Sequence, residues 1–99
     1  MTAPNELRLL PWSGPGDKPC YLSTDDVGGY MSRLADTIEA VQLGMAAELL
    51  EMAAETLDDE DTDPIELRRL GRALTGAVKD VLRIAVSRGH RVAADPHRT

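Results

Sequence analysis

The sequence predicts an all-α protein: an antiparallel hairpin of two long helices, preceded by an extended proline-rich arm and pairing with a second copy into a four-helix bundle. Three observations carry this expectation. Apolar residues recur at helical spacing through two long segments, and an acidic run ending in Asp63-Pro64 separates them. The 99 residues include no Phe, one Trp and two Tyr, so aliphatic side chains and Met must make the core, which suits packed helices better than a β-sandwich. A chain of this length forms one domain and buries a smaller share of its surface than a typical enzyme domain, which disfavours a large catalytic cleft.

Residues 1–23 hold Pro4, Pro11, Pro15 and Pro19 with Gly14 and Gly16, a spacing that blocks any long helix. The segment reads as an extended arm. Leu7 and Leu9 alternate with Arg8, which suits a short strand or a strip lying on a helical surface, and Ser13 to Asp17 reads as a turn. Trp12, with Leu9, Leu10, Cys20, Tyr21 and Leu22, supplies apolar and aromatic groups that either close the small core or meet a partner. Core closure is the favoured reading, because the hairpin has apolar surface to hide.

The helical hairpin is expected over 24–91. Ser23 or Thr24 can cap the first helix, about 27–58, with Asp25 and Asp26 at its positive end. Gly28-Gly29 weakens that turn and moves the secure start towards Tyr30. Met31, Leu34, Ile38, Val41, Met45, Leu49 and Met52 then form one stripe at steps of three and four. A second stripe, Leu43, Ala47, Leu50, Ala54 and Leu57, lies about 200° around the helix at Leu43 relative to Val41, so one helical partner does not cover both.

The acidic run Leu57 to Asp63 ends the first helix in a loop. The second helix, about 64–88, opens with Asp63 at the N-cap, Pro64 at the first helical position and Glu66 in the capping-box position. Leu67, Leu70, Leu74, Val78, Val81 and Ala85 give its stripe, widened by Leu82, Ile84 and Val86, and Gly89 is the expected stop before a frayed tail at 92–99. Gly44, Gly71 and Gly76 inside the helices are read as close helix crossings, since each lowers helix propensity by up to about 1 kcal/mol.

Charge is strongly segregated. Residues 1–23 are neutral, 24–61 hold eleven acids and only Arg33, and 62–99 hold eight Lys or Arg against four acids, within a net charge of -6. An acidic helix beside a basic one favours antiparallel pairing. The alternative is that Arg68, Arg69 and Arg72 contact an acidic partner or phosphates. Nucleic acid is disfavoured by the negative field of the first helix and by a helix-turn-helix trial that must place its turn at Thr75-Gly76 without a break in the apolar phase.

No enzyme activity and no cofactor are expected. His90 and His97 lack metal-ligand spacing, Cys20 has no base placed against it, and Gly14-Pro15-Gly16 lacks the lysine and helix of a phosphate loop. Glu48, Glu51 and Glu55 share a flank but bring no histidine, so they read as a solvated face. A lone cysteine, no apolar leader and no run long enough to span a bilayer together suggest the cytoplasm and no membrane partner.

The run LPWSGPGDKPCYLSTDD followed by SRLADTIEAVQLGMAAELL resembles small, mostly uncharacterised helical proteins of high-GC actinobacteria, over residues 9 to about 57. The resemblance implies a cytosolic accessory or regulatory protein and brings no catalytic motif. The expected function is protein–protein contact by a homodimer, with Leu43, Met45, Leu49, Leu50, Met52 and Leu57 as the self-association surface. The runner-up is a regulatory module that binds a transcription factor or kinase-like protein through its free apolar face and Arg68, Arg69 and Arg72. Trp12 and Tyr21 are further candidate partner contacts.

Overall fold

A computed structural model describes residues 7–23 and 29–93 of the chain, with side chains through residue 89. The elements, in order, are β1 (Leu7–Ser13), a single 3-10 turn (Pro15–Asp17), β2 (Pro19–Ser23), α1 (Tyr30–Asp58) and α2 (Pro64–Ala93). The fold is mostly helical with a small two-stranded antiparallel sheet, so the expected extended arm is a β-hairpin over its described part. The fit of strand to sequence is local: Leu7 pairs with Ser23, Leu9 with Tyr21 and Ser13 with Pro19, and the register shifts between Leu9 and Ser13. Pro11 lies in that irregularity, where a residue without an N–H breaks no ladder bond. The turn closes through Gly14 N–H donating to the Lys18 carbonyl at 2.7 Å, with Gly16 and Asp17 both at positive φ.

Helix α1 starts at Tyr30, with Gly29 as its N-cap and no side-chain capping bond. Ser23 belongs to β2, and the other cap candidate, Thr24, with Asp25 and Asp26, lies outside the described residues. The C-terminal end is tied by the Thr56 carbonyl, which accepts from Asp59 N–H at 3.3 Å and the Thr62 hydroxyl at 2.9 Å. Asp63 then caps α2 as the sequence predicts, accepting from Ile65 N–H at 2.9 Å with Pro64 at the first helical position. Glu66 does not complete the capping box; its carboxylate pairs with Arg69 at 3.3 Å. Gly89 does not stop the helix, which runs to Ala93; of the expected tail, 94–99 and hence His97 lie outside the described residues, as does the side chain of His90.

The two helices run antiparallel, with Glu39 beside Arg88 at one end and Met52 across from Arg72 further along. Their seam differs from the predicted one. The most buried face of α1 is Ala35, Glu39, Gln42, Ala46, Leu49, Ala53 and Thr56, at alternating steps of four and three. It meets Leu70, Leu74, Ala77, Val81 and Ile84 of α2, spaced the same way. Of the expected α1 stripe, Met31, Leu34, Ile38 and Leu49 are half-buried, while Val41, Met45 and Met52 are exposed. Small residues let the helices close on the Ala-rich strip that runs between the two predicted stripes, and each stripe becomes a flank. On α2 the same displacement leaves Leu67 and Val78 exposed and buries Ile84. The glycines do not mark close crossings: a Cβ added at Gly44, Gly71 or Gly76 meets nothing within 4 Å.

Candidate functional site

The β-hairpin is fastened to both helices by polar contacts. The Pro11 carbonyl accepts from Gln42 Nε2 of α1 at 2.9 Å and from Arg83 Nη1 of α2 at 3.1 Å. Arg83 Nη2 also reaches Ser13 Oγ at 3.2 Å. One backbone oxygen, turned out of the ladder where the register shifts, thus bridges strand and both helices, and Pro11 is among the most completely buried side chains.

Arg8 makes the second fastening. It is 5% exposed, its guanidinium lies 2.6 Å from Asp36 and 3.3 Å from Glu39, and it also donates to the Ser32 carbonyl and hydroxyl at 3.2 and 3.0 Å. Glu39 is 2% exposed and is approached from the other helix by Arg88 at 4.0 Å. A charge this buried persists only beside opposite charge. Arg8 is hydrogen-bonded to Ser32 and Asp36, whereas Glu39 is held at ion-pair distance, with its Oε2 and the Arg8 Nε buried and accepting or donating no hydrogen bond. The expected strand alternation is reversed here: Arg8 and Leu10 are buried, Leu9 is half-buried and Leu7 is exposed. The acids of α1 attract Arg8 inward, and charge totals over the first 23 residues conceal that.

The surface these fastenings leave open carries large apolar side chains among charged ones. Met45 is 64% exposed, Leu50 67%, Met52 58% and Leu57 63%, while Leu43 and Leu49 are half-buried. The six residues expected at the self-association surface therefore divide between two flanks of α1. Met45 and Met52, with Leu49 behind them, look into a groove of about 480 Å³ whose other wall is Arg72, Ala73, Gly76, Ala77 and Asp80 of α2. Leu43, Leu50 and Leu57 lie on the opposite flank by helical rotation. Val78, Leu82 and Val86 of α2 are exposed as well.

The remaining candidates are dispersed. Trp12 is half-buried, and Tyr21 is exposed, lining a small crevice with Leu7, Leu9 and Val86. Arg68, Arg69 and Arg72 are all exposed; Arg69 pairs with Glu66, and Arg72 stands on the groove wall. Arg88 with Glu39, at 4.0 Å, is an ion pair between α1 and α2, and Arg68, Arg69 and Arg72 are exposed rather than turned onto the acids of α1. Helix α2 passes unbroken through Thr75-Gly76, with the Thr75 hydroxyl donating to the Gly71 carbonyl at 2.8 Å, so the helix-turn-helix division is not present.

Glu48, Glu51 and Glu55 are exposed, and no group of three or more His, Cys, Asp or Glu among the described residues is placed to hold a metal ion. No helix among them is long and apolar enough to cross a membrane. Sequence reasoning missed Ala73, Gly76, Ala77 and Asp80 as groove-lining residues, because small side chains carry no periodic apolar signature. No protein-family model, curated protein or solved structure matches the chain.

Proposed function

We propose that this chain is a non-enzymatic accessory or regulatory protein of the cytoplasm that acts by protein–protein contact as a homodimeric four-helix bundle. The observation that carries this reading is the exposure of Met45, Leu50, Met52 and Leu57 on a helix whose inner seam holds Ala, Gln, Glu and Thr with a single Leu. Helix α1 places mostly small and polar residues inside and its large aliphatic residues at the edges, and burial of such edges by a symmetric copy is the simplest way to remove them from water. Leu49, half-buried, lies beside Met45 and Met52 on one flank, and Leu43, also half-buried, lies beside Leu50 and Leu57 on the other.

Light scattering on the eluting protein, at two salt concentrations, tests it. The expected mass is about 21 kDa, twice the 10.7 kDa chain. Met45→Glu with Met52→Glu, and Leu50→Glu with Leu57→Glu, charge the two flanks separately, and at least one pair is expected to return the mass to that of a single chain. A single-chain mass for the unmodified protein overturns self-association, and a dimer that survives both pairs overturns the assignment of the surface.

The position of Arg72 on the groove wall, with Arg68 and Arg69 exposed nearby, favours a second reading. In it the chain is a regulatory module whose groove receives an acidic, apolar segment of another protein, with Trp12 and Tyr21 as accessory contacts. Its mark is a monomer in isolation, together with capture of a partner that is lost in high salt and on Arg68→Glu.

A further inference from the structure

We infer that the groove between α1 and α2 seats a second copy of this chain, oriented so that α1 of each copy lies on α2 of the other. This rests on the homodimer reading above and adds which flank pairs and in which of two symmetric arrangements. A two-fold axis along the groove stacks α1 on the partner's α2, whereas an axis across the groove stacks α1 on α1 and α2 on α2.

The shapes of the walls discriminate between the two. The α1 wall presents the long side chains Met45, Leu49 and Met52 beside Glu48, and the α2 wall presents a low stretch, Ala73, Gly76 and Ala77, between Arg72 and Asp80. Space above Gly76 is open, since an added Cβ there meets nothing within 4 Å. With the axis along the groove, each Met side chain falls on the partner's low shelf; Met52 of one copy comes level with Ala73 of the other. With the axis across it, methionines oppose methionines and hold the copies apart, leaving a void where Ala and Gly face Ala and Gly, and voids forfeit contact energy.

The charges make the same choice. The segment 24–61 carries eleven acids and one base, while 62–99 carries eight Lys or Arg and four acids. Stacking α1 on α1 confronts Glu48 and Glu55 with their own kind. Stacking α1 on α2 brings Glu55 over the helix face that carries Arg69 and Arg72 and sets Glu48 level with Ala77, and the like-charge juxtaposition of the α1-on-α1 stack rejects that arrangement. Asp80 is the one acid on the α2 wall of the groove, and Arg83 stands 3.6 Å from it. Steric and electrostatic complementarity therefore select one symmetry.

Two experiments test this. In a Cys20→Ser background, Met52→Cys and Ala73→Cys chains are mixed, allowed to exchange subunits, and oxidised with copper phenanthroline. The expected result is a covalent two-chain species in the mixture at least several-fold above either variant alone. A crosslink from Met52→Cys or Met45→Cys alone puts α1 against α1 and overturns the inference, as does an absent crosslink in a sample whose mass is still that of a dimer. The homodimer reading survives both of those outcomes; it fails separately, on a single-chain mass for the unmodified protein. In the second experiment Gly76→Leu fills the shelf. The open space at Gly76 and the better helix propensity of Leu keep the chain folded by circular dichroism, and the mass is expected to fall to one chain. A dimer that tolerates Gly76→Leu overturns the inference.

Discussion

Arg8 shows how much of the assembly of this fold depends on one side chain. Its guanidinium is the nearest cation to Glu39, at 3.3 Å against 4.0 Å for Arg88, and Glu39 is almost wholly withdrawn from water. Removing Arg8 leaves a buried carboxylate with only a distant partner, so Arg8→Ala is expected to lower stability in urea unfolding by about 3 kcal/mol. Asp36 lies closer to Arg8, at 2.6 Å, yet its side chain is 64% exposed, and Asp36→Asn is expected to lose under about 1 kcal/mol. Replacing both buried partners, Arg8→Met with Glu39→Leu, should recover most of the loss, because two apolar groups need no pairing. Equal losses from Arg8→Ala and Asp36→Asn would show that Glu39 does not depend on Arg8. The sequence alone predicts Arg8 on the outer face, since Leu7-Arg8-Leu9 alternates as a half-buried strand does. Only the position of Glu39 in a four-and-three row with Ala35, Ala46 and Ala53 points to a buried charge in need of a partner, and that spacing is hidden by the stronger Leu and Met pattern around it.

The helices themselves were legible to within a turn at most ends, because caps and breakers act locally: Asp63-Pro64 opens α2, and the acidic run closes α1 at Asp58. Which face turns inward is not a local property. Summed hydrophobicity favours the stripe through Met45 and Met52, but close approach of two helices favours the strip through Ala35, Ala46 and Ala53. Ala53 is buried and its neighbour Ala54 exposed, which gives a direct test. Ala53→Leu forces extra volume into a closed seam and is expected to destabilise by about 1–3 kcal/mol, while Ala54→Leu is expected to stay within about 0.5 kcal/mol of the unmodified protein. Thermal unfolding of the two variants side by side reads the difference, and a neutral Ala53→Leu would return the seam to the methionine stripe. The β-hairpin was half legible. Its turn follows from Ser13 to Asp17, but the register shift at Pro11 that aims a carbonyl at Gln42 and Arg83 involves partners 31 and 72 residues away in sequence.

At the scale of the whole molecule, the question is where a thin two-helix layer finds its stability. Among the described residues the buried apolar side chains are Leu10, Pro11, Ala35, Ala53, Leu70 and Ile84. Two of the six are alanines, which bury little area, and each larger side chain contributes about 1.5–3 kcal/mol before the loss of chain entropy is counted. The larger apolar residues lie mostly on the flanks, so their contribution is realised only when a second surface covers them. Association is therefore expected to add to the stability of the folded chain, and the melting temperature should rise with protein concentration. Mass action adds about 1.4 kcal/mol of apparent stability, per mole of dimer, for each tenfold increase in concentration. Melting curves over a hundredfold range of concentration measure this directly. A melting temperature independent of concentration would show that the hairpin and its strand clamp fold alone, and the open methionine groove would then belong to a different protein. The Met45→Glu with Met52→Glu chain is the matched control: with its groove flank charged, its melting temperature should be lower and flat across the same range.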